Sequence, residues 1–144
     1  MIGSAQDNKA VVTRLLEEVF NGRDLDALPE VLSDDFVMRP LAPFPPQEMH
    51  GPQGQRELYE GFYAAISDVR AETRAMVAEG DMVMVYDRFG GTHDGQLGPW
   101  AATHKPLHWN VTHLYRLRDG KITEDNVLVD VAGLMRQIGQ LDLG

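Results

Sequence analysis

The sequence predicts an α+β domain, with helices first and an antiparallel sheet after them. Three observations carry this. Apolar residues recur at helical spacing in three segments before residue 70. After residue 72 the period changes to two, the spacing of a strand with one buried face. Asp119-Gly120 then separates two long alternating runs, the signature of a tight hairpin turn. Helices and a sheet each need to bury one face, and packing them on each other satisfies both.

In chain order, residues 1–6 read as a loose end. Asp7 is placed to cap a helix reaching Phe20, with Val12, Leu15, Leu16, Val19 and Phe20 on its apolar face. Asn21-Gly22 stops it. Asp24 is the expected cap of a short second helix burying Leu25, Leu28, Val31 and Leu32. Ser33 to Arg39 reads as a strand, and Pro40 to Gly51 as a stiff loop with four prolines between 40 and 46. Pro52 suits the first turn of a third helix, whose inner face is Leu58, Phe62, Ala65, Ile66 and Val69. Glu72 to Ala78 and Met82 to Phe89 are strands about an Asp81-containing turn, and Gly90 to Thr103 is a loop. Leu107 to Arg118 and Lys121 to Val129 form the hairpin, and residues 131–139 a closing helix. The whole chain, 1–144, is read as one domain, since no boundary, repeat or low-complexity tract interrupts it.

Composition narrows the function. The 144 residues carry 22 acidic and 13 basic side chains, a net charge of -9. Nucleic-acid binding needs a basic footprint that neutralises phosphates, and none is present; the same charge disfavours an anionic membrane surface. No run of 18 apolar residues and no secretory leader is seen, so a cytoplasmic location is expected. With no cysteine, disulfides and thiolate chemistry are excluded.

The candidate site residues follow from strand periodicity. Leu107, Trp109, Val111, His113, Tyr115 and Leu117 alternate on one face and should look inward. His113 then lies among apolar side chains, as a substrate donor, a proton relay or a satisfied core histidine. Asp87 shares a face with Val83, Val85 and Phe89, and is a candidate buried carboxylate or a structural partner of a Tyr or His. Trp109, Tyr63, Tyr115 and Tyr86 are the aromatic candidates for the walls of a pocket for a flat ligand. Five methionines besides Met1 and Met135 suit an adaptable cavity. His93 in GGTHDG reads as structural. No metal site is expected: Pro106 separates His104 from His108, and no third ligand follows. Neither a Gly-x-Ser-x-Gly elbow nor a phosphate-cradling glycine loop occurs.

Several segments in order, FNGRDLDALPEVLSDDF (20–36), HGPQGQRELYEGFYAAISDVRAE (50–72), AEGDMVMV (78–85), GGTHDG (90–95) and THLYRLRDGKI (112–122) with DVAGLMRQIG (130–139), resemble the SnoaL-like polyketide cyclases. The resemblance implies a cone: a curved antiparallel sheet wrapped by three N-terminal helices around an internal apolar pocket. It implies ring closure by intramolecular aldol condensation in antibiotic biosynthesis. A pocket carboxylate would act as acid and base, assisted by a histidine, with no metal or cofactor. A polyketide-like substrate and a homodimer through the outer sheet face are implied as well. The histidine falls on His113, but the carboxylate position falls on Val127, which cannot move a proton. Asp125, two residues earlier on the same strand face and roughly 6.6 Å along the chain, is the expected replacement, with Asp87 the other. The alternatives are a non-catalytic small-molecule-binding module, and a hydratase, epoxide hydrolase or hydroxylase on the same fold. An epoxide hydrolase of this fold wants an Asp–Arg–Asp set, and adjacent Asp87 and Arg88 point to opposite faces.

Overall fold

The computed structural model describes residues 3–41 and 47–142. The loop expected over Pro40–Gly51 lies partly outside them. The chain begins with helix α1 (Ala5–Arg14), which runs on as a π-helical segment (Leu15–Asn21). The cap is Ser4 rather than Asp7. Ser4 Oγ accepts from the Asp7 backbone N–H while the Asp7 carboxylate accepts from the Ser4 N–H, a reciprocal capping box. Asp24 precedes a 3₁₀ turn (Leu25–Ala27) without capping it through its side chain, and helix α2 (Leu28–Val31) follows.

Strand β1 (Leu32–Pro40), the two-residue β2 (Met49–His50) and helix α3 (Gly51–Ala65) come next, with Pro52 in the first turn of α3. Strands β3 (Arg70–Glu79), β4 (Met82–Thr92), β5 (Pro106–Arg118) and β6 (Lys121–Val129) and helix α4 (Val131–Gln137) complete the chain. The β5–β6 turn is made by Asp119 and Gly120 at φ 52° and 79°, the left-handed pair that matches strand twist.

The fold is α+β as expected, and the six strands form one curved sheet in the order β2-β1-β6-β5-β4-β3. One pairing departs from the antiparallel expectation: β1 runs parallel to β6, making the sheet mixed. A parallel neighbour requires a long crossover, and here everything between residues 41 and 120 serves as that crossover.

Helices α1 and α3 cover one sheet face. Strand β5 alternates buried and less buried residues along its whole length, with Leu107, Trp109, Val111, His113, Tyr115 and Leu117 inward. The other face carries Val77, Met84, Tyr86 and Leu128, all exposed. Strand β3 has a register irregularity between Thr73 and Ala75. One extra residue there opposes β4, and the bulge turns Thr73 toward Asp87.

Candidate active site

The inner face of the sheet and the helices enclose an apolar crevice. Its cavity volume is about 40 Å³, well below the roughly 300–1,000 Å³ of ordinary small-molecule pockets, so side chains on its wall must move apart to admit a ligand of that size. The π-helical segment contributes Leu16 and Phe20, and β1 contributes Met38; α3 contributes Gln55, Leu58, Tyr59 and Phe62. The sheet contributes Phe89 from β4, then Trp109, Val111 and His113 from β5, and Asp125, Val127 and Val129 from β6.

Register explains the central contact. His113 pairs directly with Val127 across β5 and β6, and Tyr115 pairs with Asp125. All four point inward, so the Asp125 carboxylate reaches diagonally to the imidazole. His113 Nδ1 lies 3.1 and 3.2 Å from the two Asp125 oxygens. On the other side His113 Nε2 lies 3.5 Å from Asp87 Oδ2, an ion-pair distance too long for a hydrogen bond. The other Asp87 oxygen accepts from Thr73 Oγ1 at 2.9 Å. Asp87 is fully buried and sits beside the imidazole, outside the crevice wall. The Tyr115 ring stacks on His113 with centroids 5.0 Å apart and planes 12° apart.

Burial alone pushes the His113 pKa down. The Asp125 charge and hydrogen bond, then Asp87, outweigh it and raise the pKa to about 9. The imidazole is therefore a cation at neutral pH, its Nδ1–H donating to Asp125 and its Nε2–H facing the Asp87 carboxylate. Burial pushes the Tyr59 and Tyr115 phenols up, so both stay neutral.

The structure thus brings together His113, Asp125, Trp109 and Val127 on the crevice wall, with Asp87 and Tyr115 packed against the histidine. Three expected wall residues need correction. Tyr115 stacks on the His113 ring and is not part of the crevice lining. Tyr86 is on the outer sheet face, 39 % exposed, and donates to Asn110 Oδ1; with Asp87 inward, its neighbour must point out. Tyr63 is half-buried and not a wall residue: its hydroxyl donates to the Phe20 carbonyl and the Arg23 guanidinium lies over its ring, 4.0 Å away. Gln55 and Thr73 were not anticipated. Gln55 sits at helical spacing with Tyr59, a signal that was available; Thr73 depends on the bulge. Among the described residues, no group of three His, Cys, Asp or Glu side chains is arranged to hold a metal ion.

This architecture can be set beside known proteins. The family model of the SnoaL-like polyketide cyclases matches residues 10–138. The chain belongs to that family. No curated protein sequence matches it. A Jannaschia sp. CCS1 protein assigned to the SnoaL-like cyclases superposes with a TM-score of 0.85 at 20 % identity, covering 96 % of this chain and 95 % of that one. AclR of Streptomyces galilaeus, assigned as a hydroxylase, gives 0.83 at 24 % identity over 96 % and 89 % of the two chains. IdmH of Streptomyces antibioticus, assigned as a polyketide cyclase, gives 0.78 at 25 % identity over 92 % and 98 %. A SnoaL-like frame therefore accompanies more than one assigned chemistry, and the reaction must be argued from the side chains.

Proposed function

We propose that this chain is a cofactor-independent cyclase of the SnoaL-like type, closing a ring in a polyketide-like substrate by an aldol-type step. The observation that carries the reading is the 3.1 Å contact between His113 and Asp125 on the wall of an apolar crevice. The Asp125 carboxylate takes a proton from a carbon beside a carbonyl. The carbonyl oxygen, gaining negative charge, is stabilised by the positive charge of the nearby His113 imidazolium. The enolate carbon then attacks a second carbonyl carbon of the same molecule, and the new alkoxide is protonated from the Asp125–His113 pair. The proton taken is returned. The aromatic wall of Phe20, Phe89 and Trp109 holds the chain folded, which lowers the entropy lost on closure.

The test is deuterium exchange at the activated methylene of a naphthyl β-keto ester, followed by NMR in D₂O. Wild-type protein speeds the exchange, and Asp125→Asn removes about 100-fold or more of that acceleration. Equal rates with wild type and Asp125→Asn overturn the reading. A second reading, a non-catalytic binding module, is favoured by Val127, an apolar residue where the family resemblance puts its carboxylate. It gains if the ester binds the crevice without exchange.

The outer sheet face has a proposed occupant as well, a second copy of the chain. Val77, Met84 and Leu128 are exposed on β3, β4 and β6, and the Met84–Leu114 and Thr112–Leu128 pairings carry that face across the intervening β5. Sedimentation of wild type against Leu128→Lys tests it: a dimer converted to monomer supports it, and a monomer in both overturns it.

A further inference from the structure

Gln55 is a wall residue of the crevice that the mechanism above leaves unused. It projects from α3, across the crevice from β5 and β6, and is 3 % exposed. Its side chain hydrogen-bonds the Tyr59 hydroxyl. Its carbonyl oxygen Oε1 is buried and has no protein partner. A buried acceptor left unpaired costs about 1–3 kcal/mol, and an apolar side chain of the same shape avoids that cost. Methionine, used freely elsewhere in this chain, has nearly the same length and no polar atom. A half-satisfied amide on an otherwise apolar wall is thus a poor choice for stability alone. The His113 nitrogens are already claimed, Nδ1 by Asp125 and Nε2 by the Asp87 carboxylate that it faces at 3.5 Å, so Oε1 is the wall atom left to take a donor from a ligand.

We propose that Gln55 is a specificity-determining polar anchor of the crevice, its Oε1 accepting a hydrogen bond from a hydroxyl of the ligand. The inference rests on the crevice being the substrate site and adds to it a preference, between ligands of like shape, for the one that carries this hydroxyl. Phe20, Phe89 and Trp109 supply the flat walls, with Phe89 and Trp109 centroids 5.8 Å apart. Gln55 acts here through specificity, and the proton steps stay with Asp125 and His113.

The experiment compares two probes, an acetylnaphthalene and the same molecule carrying a hydroxyl on its far ring. Binding to the full chain is measured by calorimetry. Wild type prefers the hydroxylated probe by about tenfold, the scale of one satisfied buried acceptor. Gln55→Met, near in shape, binds both probes equally. Gln55→Glu, which keeps an acceptor oxygen, retains the preference, and so does Tyr59→Phe. Circular dichroism and thermal melting confirm that each variant is folded. Equal affinity of wild type for both probes overturns the role of Gln55 while leaving the crevice as a binding site. A preference lost in Tyr59→Phe but kept in Gln55→Met overturns the assignment to Gln55. Failure of wild type to bind either probe overturns the inference together with the crevice reading on which it rests.

Discussion

His93 and His113 are both buried, at 0 % and 7 % exposure, in two different regions of the molecule. His93 lies just beyond β4 in a reversing segment. Its backbone donates to the Lys105 carbonyl and accepts from the His104 N–H, and its Nδ1 lies 3.0 Å from Thr103 Oγ1. Every one of these partners comes from its own loop, and none is a carboxylate. His113 lies in the middle of β5, flanked by carboxylates from two other strands, stacked on Tyr115, and open on the crevice wall. Burial of a histidine is therefore not a sign of chemistry by itself. What separates the two is the company: His93 ties a loop together, while His113 is held charged between two carboxylates beside an apolar crevice.

Substitutions test this contrast. The largest effect is expected at Asp125: changing it to Asn removes about 100-fold or more of the exchange rate with the β-keto ester, whereas His93→Gln leaves the rate within about twofold. Equal losses in the two variants abolish the distinction. The pH dependence of stability should differ next. The folded-state pKa of His113 is about 9 against an ordinary 6.5, so the native state binds more protons between those values. Its stabilising contribution is complete below about pH 6.5 and disappears as pH rises through about 9. Asp87, Asp125, Tyr59 and Tyr115 are the titratable groups facing it, and the two raised phenols stay neutral over that window. Chemical denaturation at a series of pH values should show this decline in wild type and in His93→Gln, and a flatter profile in His113→Gln. A wild-type profile flat from pH 6.5 to 9 sinks the assignment of a cationic His113. His93→Ala, in turn, should cost about 2 kcal/mol in urea unfolding with naphthyl-probe binding unchanged, the mark of a structural histidine. The smallest effect is expected at Thr73. Replacing it with Val removes the donor to Asp87 and costs about 1 kcal/mol, while Thr73→Ser keeps both bond and stability.

Much of this was legible from period and turn chemistry. The β5–β6 hairpin is bounded by two long alternating runs and an Asp-Gly turn, so its ends and the inward aim of His113 follow directly, whereas an extra residue at Thr123 shifts the register by one and turns Asp125 inward, which the period alone does not give. The first helix was legible in its apolar face but not in its cap. Ser4 and Asp7 are both good capping types, and the reciprocal bond between them decides which is outside the helix. Tyr63 reads as a wall residue because it is aromatic and on the right helix, yet its ring is claimed by Arg23. The bulge in β3 was invisible because one extra residue breaks the period-two rule at the point where Thr73 is turned inward. The parallel pairing of β1 with β6 was equally hidden, since partner choice between distant strands leaves no local trace.

That parallel pairing has a consequence for how the molecule is made. Among the described residues, and apart from the two-residue β2, the strand beside β1 is β6, separated from it by some eighty residues of chain. Contacts of such separation are slow to form, because a long loop must close before they stabilise anything. During synthesis, β1 leaves the ribosome early and waits with an open edge until Lys121–Val129 has emerged. The same late segment brings Asp125. Sheet completion and arrival of the proposed base are a single event, so a growing or truncated chain that lacks β6 has neither a finished sheet nor the Asp125 carboxylate beside His113.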